Sequence, residues 1–149
     1  PAKHARLMGH SWGGEDLMAD LGALAKGPAP GVYDDTFKFA RTVNLMASVA
    51  ASVIAYDTVY PDIKNVDGLR AEARDARRMG YGGKIAIHPD QVAIIHEVFT
   101  PSAEEIDWAK RIVATFENNP TSGVLTLDGK MLDRPHLVLA RRLLARAGE

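Results

Sequence analysis

The residues best suited to chemistry lie near the start of the sequence, where two acids follow two glycines in the order Gly13-Gly14-Glu15-Asp16. Apolar residues at helical spacing begin directly afterwards, so we expect both acids to lie at a helix N-terminus. A carboxylate there can bind a hard divalent cation, and the free N–H groups of a glycine turn can bind an anionic substrate. Alternatively, the acids only compensate the positive end of the helix dipole.

The same stretch contains a second candidate for chemistry, Ser11. The order Gly9-His10-Ser11-Trp12-Gly13 matches G-x-S-x-G, the strand-to-helix elbow that presents the nucleophile of α/β-hydrolases. Asp57 followed by His88 or His136 would complete a triad in the right order. However, only eight residues precede this motif, too few for the strand and loop that supply the second oxyanion donor. A serine hydrolase is therefore the alternative function.

Three further polar residues follow predicted strands or begin a helix: Asp57, His88 and Asp133. Because the carboxyl ends of parallel strands meet at one edge of a sheet, we expect Asp16, Asp57 and His88 at a common rim. His88 precedes a proline, and a structural hydrogen bond would explain it equally well. Asp133 precedes Pro135 and a helical pattern, which by itself predicts a helix N-cap.

Strand and helix patterns alternate over residues 1–100, which is typical of parallel βα units and predicts an α/β fold. Asp67 is expected to cap the third helix, and Gly80 to end it. Strands are predicted over 6–8, 53–57 and 84–87, with helices from about residue 17 and over 37–51, 68–79 and 91–99. The predicted buried face of the second helix comprises Phe37, Ala40, Val43, Met46, Ala47 and Ala50.

The pattern changes after Pro101. Ser102 and Glu105 match a capping box at the start of a helix, and Asp128-Gly129 is typical of the turn of a two-residue hairpin. A last helix extends to about residue 147. We therefore predict two parts: βα units over 1–100 and an appended helix–hairpin–helix segment over 101–149.

Composition narrows the classes of function. The chain has 149 residues, 46% hydrophobic and 25% charged, with a net charge of −1, so we expect an ordinary globular core and no nucleic-acid partner. Without cysteine it has no disulfide, thiolate nucleophile or cysteine-based zinc site. No apolar stretch approaches the roughly 20 residues of a membrane span, and the N-terminus lacks a signal-peptide pattern. A cytoplasmic protein that binds no membrane is expected.

Five segments together resemble a known family. They occur in the family's order and extend over nearly the whole chain, so the resemblance is more specific than any single motif. The segments are GGEDLMADLG at 13–22, AYDTVYPD at 55–62, GGKIAIHPDQV at 82–92, FTPSAEEI at 99–106 and DGKMLDRPH at 128–136. The chain resembles the citrate lyase β-subunit-like family, which includes malyl-CoA and citramalyl-CoA lyases within the HpcH/HpaI aldolase group.

The resemblance implies a Mg²⁺-dependent carbon–carbon lyase on a TIM (β/α)8 barrel, in a homo-oligomer such as a trimer or hexamer. Its ligands would be a 2-oxoacid and an acyl-CoA or acyl-carrier thioester. Mg²⁺ suits this chemistry because a hard cation polarises the oxoacid carbonyl and balances the oxyanion that develops, while turn amides bind the carboxylate.

The matched motifs also imply roles for individual residues. Asp16 matches the acid of the family's G-x-E-D-L motif, which is a metal ligand and catalytic residue. Asp133 matches the acid of the G-K-M-x-D motif, a catalytic residue that serves the enolate in a neighbouring subunit's active site. The residues predicted to bind substrate are Gly13, Gly14, Glu15, Asp57 and His88.

A complete barrel needs about 250 residues and eight strands, whereas this chain supplies three βα units and the appended segment. The resemblance therefore implies the C-terminal part of the barrel. The family's second metal-binding glutamate and its residues for CoA phosphates match nothing in the chain. A non-catalytic remnant that binds CoA or a partner chain is a further alternative, although the presence of both Asp16 and Asp133 argues against it.

Overall fold

The computed structural model describes residues 6–149. The chain divides into two compact units, the first ending at Phe99 and the second spanning Thr100–Glu149. The sequence assigns residues 1–100 to a barrel domain and residues 101–149 to an appended segment. These two assignments stay predictions. Within the described residues, no helix is both long enough and apolar enough to cross a membrane.

The first unit contains a three-stranded parallel sheet. Its strands are β1 (Gly9–Ser11), β2 (Ile54–Asp57) and β3 (Gly83–Lys84), in the spatial order β1-β2-β3. Gly9 pairs with Ile54, and Tyr56 pairs with Gly83. Parallel strands separated by helices are the product of βα alternation, so the α/β prediction is confirmed.

Four helices follow the strands of this unit: α1 (Gly14–Leu21), α2 (Asp35–Ala50), α3 (Val66–Met79) and α4 (Pro89–Phe99). The main core joins β2, α2 and α3 around the buried side chains of Trp12, Phe37 and Tyr81. A smaller core of Tyr60, Leu69 and Ile95 lies between α3 and α4.

The first strand begins three residues later than predicted, at Gly9 instead of Arg6. A Cβ at Gly9 would lie 2.5 Å from Tyr56 Cε2 and 2.8 Å from the Ile54 carbonyl oxygen, so only glycine fits beside β2. On the opposite side, a Cβ at Gly83 would lie 3.0 Å from Tyr56 Cδ1. The Tyr56 ring therefore lies against a glycine on each side, a match that no apolar pattern reveals.

The third strand is shorter than predicted. Only Gly83 and Lys84 pair with β2, and the predicted continuation over 85–87 lies outside the sheet with its residues exposed. The ladder stops because β2 itself ends at Asp57, the partner of Lys84. Lys84, the first residue of the predicted strand, is buried.

Two helix predictions also need correction. In α2, the buried side chains are Phe37, Arg41 and Ser48, whereas Val43 and Met46 of the predicted face are exposed. The buried face is partly polar because Arg41 binds Asp57, a partner that hydrophobic spacing cannot indicate.

In α3, the N-cap is Asn65 and not Asp67, since the Asn65 side chain accepts the Gly68 N–H at 2.9 Å. Gly80 ends this helix with a φ of 113°, as predicted.

The second unit consists of α5 (Ala103–Glu117), β4 (Val124–Leu127), β5 (Lys130–Asp133) and α6 (Arg134–Ala147). β4 and β5 pair as an antiparallel hairpin, and the turn residues Asp128 and Gly129 both have positive φ. The capping box of Ser102 and Glu105 at α5 is present with both hydrogen bonds. The predicted local elements are therefore confirmed.

Candidate functional site

The glycine turn connects β1 to α1. Gly13 is the N-cap of α1 with extended backbone angles (φ −96°, ψ 95°) and no side chain to cap the helix. Glu15 and Asp16 lie in the first helical turn, as predicted. Negative charge at this end is favoured by the helix dipole, whatever else the two acids do.

Asp16 folds back over the turn. A Cβ built on Gly13 would overlap Asp16 Oδ2, so glycine is required for the carboxylate to occupy this position. The Asp16 side chain is exposed, and within residues 6–149 no cation pairs with it. The turn thus presents a carboxylate to solvent at a defined place.

Glu15 is held differently from Asp16. Its carboxylate forms an ion pair with Lys26, which lies on the loop that follows α1. Lys26 Nζ also lies 5.8 Å from the centre of the Tyr33 ring. Glu15 therefore fixes the loop against α1, and its predicted contact with substrate competes with this pair.

Thr58 anchors the turn to the next strand. The Gly14 N–H donates to Thr58 Oγ1 at 3.1 Å, and Thr58 is almost completely buried. The Gly14 amide is thus already used by the chain, whereas the sequence predicted that it binds substrate. The helix N-terminus retains its first-turn amides beyond Gly14 as possible donors to an anion.

A cavity of about 250 Å³ opens at the carboxyl ends of the three strands. Ser11 and the turn supply one wall, Thr58 and Val59 after β2 supply another, and Ile85 after β3 supplies a third. Four predicted site residues line it together: Gly13, Gly14, Glu15 and Asp16. The cavity is therefore where parallel βα units place their sites.

Asp57 does not line this cavity. It is fully buried, and its carboxylate accepts hydrogen bonds from Trp12 Nε1 (2.9 Å), Arg41 Nε and Nη2 (3.1 and 3.0 Å) and Lys84 Nζ (3.2 Å). Asp57 follows Tyr56 in a strand whose side chains alternate between two faces. The geometry therefore favours a structural role for Asp57 over the predicted contact with substrate.

The ion pairs of Asp57 belong to a larger buried network. Lys84 Nζ also binds Glu72 and donates to the Thr58 carbonyl oxygen at 2.7 Å, and Arg41 reaches Asp75 at 2.7 Å. Burial opposes ionisation of Asp57, but attraction by Lys84 and Arg41 and hydrogen bonds from Arg41 and Trp12 lower its pKa below the usual range. The network joins β2 and β3 to α2 and α3 directly below the cavity-lining Thr58.

His88 lies at the start of α4. Its Nδ1 atom accepts the Asp90 N–H at 3.3 Å, and it also lies 3.5 Å from Asp90 Oδ2. His88 is absent from the cavity wall. Its contacts match the structural alternative, and its predicted contact with substrate stays without support.

Asp133 is the N-cap of α6, and its side chain forms a capping box with His136. The N-cap prediction is therefore confirmed. A cap does not exclude catalysis, because the carboxylate is still partly exposed. The catalytic role of Asp133 stays a prediction.

The hydrolase arrangement is not found among residues 6–149. Ser11 lies within β1, paired with Tyr56, and not at the apex of a turn after the strand. No histidine in this part of the chain hydrogen-bonds to Ser11, and the donors to Asp57 are tryptophan, arginine and lysine. A nucleophile elbow requires the serine at the turn after the strand, with a histidine hydrogen-bonded to it and an acid hydrogen-bonded to that histidine.

The oxygen atoms that line the cavity provide only part of the coordination that a hard cation needs. Mg²⁺ prefers oxygen ligands and keeps several waters, and it commonly takes one or two protein carboxylates. Asp16 supplies one such oxygen, in a cradle that a Cβ at Gly13 would fill. The described residues contain no group of three or more acids, histidines or cysteines placed to hold a metal. Glu15 lines the same cavity, but its carboxylate pairs with Lys26.

Sequence reasoning missed Thr58, Trp12 and Lys84. Strand alternation offered a signal for the first, because Thr58 must face the opposite side from Asp57 and lies at the same rim. The other two carry no such signal. Trp12 resembles an ordinary core residue, and Lys84 was predicted only as the first residue of a strand.

Comparison with known proteins identifies the family. The model of the family described as HpcH/HpaI aldolase/citrate lyase matches residues 2–89. The citrate lyase subunit beta-like protein of Mycobacterium tuberculosis is 38% identical over 95% of this chain and 51% of its own length. The mitochondrial citramalyl-CoA lyase of Rattus norvegicus is 35% identical over 91% of this chain and 39% of its own length.

Two further comparisons bear on the chemistry. A (3S)-malyl-CoA thioesterase of Cereibacter sphaeroides is 38% identical over 98% of this chain and 50% of its own length. The crystal structure of CitE from Mycobacterium tuberculosis with magnesium, acetoacetate and coenzyme A superposes with a TM-score of 0.80 at 38% identity, over 93% of this chain and 51% of that one. The chain thus spans about half the length of these relatives or less, and it belongs to the HpcH/HpaI aldolase/citrate lyase family.

Proposed function

We propose that this chain supplies part of the active site of a Mg²⁺-dependent carbon–carbon lyase. The enzyme would cleave a 3-hydroxyacyl thioester to a 2-oxoacid and an acyl-CoA, or catalyse the reverse condensation. The observation that carries the proposal is the exposed Asp16 carboxylate, held over Gly13 at the cavity where the three strands end. The family and the lyases among its members support it.

Asp16 is the residue of this chain that would hold the cation, together with water and a carboxylate from outside the described residues. When bound, Mg²⁺ would supply a Lewis acid that polarises the oxoacid carbonyl. A relative crystallised with magnesium and acetoacetate supports a hard cation beside a small oxo compound.

The other residues position this site. A cavity of about 250 Å³ has room for a small oxoacid but not for a whole acyl-CoA, whose carrier would extend outward. First-turn amides of α1 would donate to the oxoacid carboxylate with the help of the helix dipole. Thr58 fixes Gly14, and the ion pair of Glu15 with Lys26 fixes the adjoining loop. These contacts limit movement of the turn and loop beside Asp16.

Several aspects of the proposal concern the whole protein. Asp133 would serve the enolate, in the active site of a neighbouring subunit of a homo-oligomeric trimer or hexamer. Whether CoA or an acyl-carrier protein carries the thioester follows from parts of the protein beyond the cavity. Cytoplasmic location stays a prediction from composition.

The experiment must separate a lyase from a thioesterase, because one relative is a thioesterase. Cleavage of the carbon–carbon bond of malyl-CoA or citramalyl-CoA releases an oxoacid and leaves the thioester intact. Hydrolysis releases a free thiol and no oxoacid. The native protein is therefore incubated with each thioester, with Mg²⁺ or EDTA, while oxoacid is measured as its phenylhydrazone and thiol with a disulfide reagent.

We expect oxoacid without an equal amount of thiol, and none of it in EDTA. Thiol release as the first product would instead assign thioester hydrolysis. Binding of acyl-CoA with neither product in either buffer would assign the non-catalytic remnant. Turnover that is unaffected by EDTA but blocked by a fluorophosphonate would restore the serine hydrolase alternative at Ser11.

A further inference from the structure

Asp133 and His136 approach each other more closely than a helix cap requires. His136 Nδ1 lies 2.5 Å from Asp133 Oδ1, whereas the capping hydrogen bond from the His136 N–H to the same oxygen is 3.5 Å long. The Asp133 N–H also points at Nδ1, at 3.2 Å. Both side chains are partly exposed, so a closed core does not force them together. The contact between the two side chains is the shortest interaction of the pair.

The contacts of His136 Nδ1 with the Asp133 N–H and with Asp133 Oδ1 require different tautomers of the imidazole ring. If Nδ1 accepts the Asp133 N–H, as a capping box requires, it carries no proton and faces Oδ1 as a second acceptor. Two bare acceptors repel at this separation, so a proton between them is what makes the contact attractive. A proton on Nδ1 supplies it and converts the contact into a hydrogen bond from His136 to Asp133. The shorter distance therefore favours the tautomer with Nδ1–H.

We propose that His136 is a positioning residue for Asp133 in the proposed lyase reaction: its Nδ1–H holds Oδ1 and leaves Oδ2 to exchange the proton with substrate. Among residues 6–149, the hydrogen bonds to the Asp133 carboxylate all involve Oδ1. The inference rests on the proposed function, in which Asp133 serves the enolate. His136 itself touches no reacting atom.

The proton balance in the cleavage direction is simple. The O–H bond at Asp133 Oδ2 breaks, and its proton forms a C–H bond at the α-carbon of the thioester enolate. Asp133 becomes a carboxylate, which the Nδ1–H of His136 stabilises through a charge-assisted hydrogen bond. The substrate hydroxyl releases one proton to solvent in the same turnover, and solvent returns one to Oδ2. No proton leaves His136.

The tautomer can be measured without any activity. The native protein is labelled with ¹⁵N at its histidines, five of which lie in this chain, and the His136 signals are identified by their loss in His136→Gln. On the neutral ring, imidazole ¹⁵N shifts distinguish a protonated Nδ1 from a bare one. We expect Nδ1–H in the wild type and a shift toward the other tautomer in Asp133→Asn. A bare Nδ1 in the wild type would overturn the proposal and leave only a capping box.

Kinetics of the same variant separates positioning from capping. Glutamine is itself a capping-box residue, so His136→Gln retains the cap but loses the imidazole. We expect the Tm to stay within about 2 °C of the wild type, with kcat lowered about 100-fold, the lower end of what general acid–base catalysis contributes. KM should change little, because His136 does not touch substrate. Wild-type kcat in His136→Gln would overturn the proposal.

The matched control is a variant that loses a helix cap elsewhere in this unit but keeps the His136 imidazole. Glu105→Ala breaks the capping box of α5, and we expect a Tm lowered by about 4 °C with unchanged kcat. His136→Ala should show both losses together. If the wild type has Nδ1–H but releases no oxoacid, the lyase function fails and the proton transfer at Oδ2 fails with it, while the pair itself stands. A bare Nδ1 in an active lyase overturns this inference alone.

Discussion

The Asp16 Oδ2 atom occupies the space that a side chain on Gly13 would fill. Gly13 has backbone angles that any residue adopts, so the glycine is needed for space and not for its conformational freedom. The glycine therefore leaves room for the carboxylate to fold back over the turn at the cavity. The relationship makes the proposed metal site testable without changing an acidic residue.

Gly13→Ala should displace the Asp16 carboxylate and weaken Mg²⁺ binding of the native protein by about 10–100-fold, the range found for changes in the outer shell of metal sites. Stability should change little, since alanine tolerates these backbone angles. Calorimetric titration with Mg²⁺ measures the affinity. Gly123→Ala is the control, because a Cβ there meets open space. Equal Mg²⁺ affinity in both variants would show that cation binding does not depend on the position of the Asp16 carboxylate over Gly13.

Asp57→Asn should lower the free energy of unfolding by about 3–5 kcal/mol, because it leaves Arg41 and Lys84 buried with less compensating charge. Chemical denaturation followed by circular dichroism measures the change. Asp35→Asn removes an exposed ion pair with Lys38 and should cost no more than about 1 kcal/mol. Similar losses in the two variants would contradict the structural role assigned to Asp57.

The same network predicts how stability depends on pH. The pKa of Asp57 is lower in the folded chain than its unfolded value of about 3.9. The stability that ionised Asp57 adds to the folded chain is therefore fully present above that pH. It is lost as pH falls through the folded pKa. Urea titrations from pH 6 downward should show a steeper loss of stability in the wild type than in Asp57→Asn. Parallel curves would indicate that Asp57 is not stabilised as an anion.

Thr58→Val should leave the Gly14 N–H without its acceptor, at a cost of about 1–3 kcal/mol. Hydrogen exchange at Gly14 should become faster, and oxoacid affinity should fall because the turn loosens. Thr58→Ser retains the hydroxyl and serves as the control. If exchange at Gly14 is the same in valine and serine variants, Thr58 does not anchor the turn.

Local signals in the sequence predicted most elements. Helix caps and turns act through neighbouring backbone groups, so a short stretch of sequence contains the whole interaction. This applies to the cap at Ser102, the helix end at Gly80 and the Asp128-Gly129 turn. The alternation of strand and helix likewise predicted the α/β fold. The motif at Gly13–Asp16 was found for the same reason, since its residues adjoin one another.

Long-range polar contacts were not predictable in this way. Asp57 follows an apolar strand and was assigned to the substrate site, but its partners Arg41 and Lys84 lie 16 and 27 residues away. The start of β1 depends on the fit of Gly9 against Tyr56, 47 positions later. Such pairings leave no periodic pattern, and only the folded chain reveals them.

The most direct test of the lyase proposal compares oxoacid release by the native protein with that of Asp16→Asn and Asp20→Asn at saturating Mg²⁺. Asp20 is exposed near the other end of α1 and controls for the loss of one negative charge on this helix. We predict a loss of more than about 100-fold in Asp16→Asn and wild-type release in Asp20→Asn. Normal Mg²⁺-dependent release by Asp16→Asn would contradict the account, because the cation would then be held without the Asp16 carboxylate.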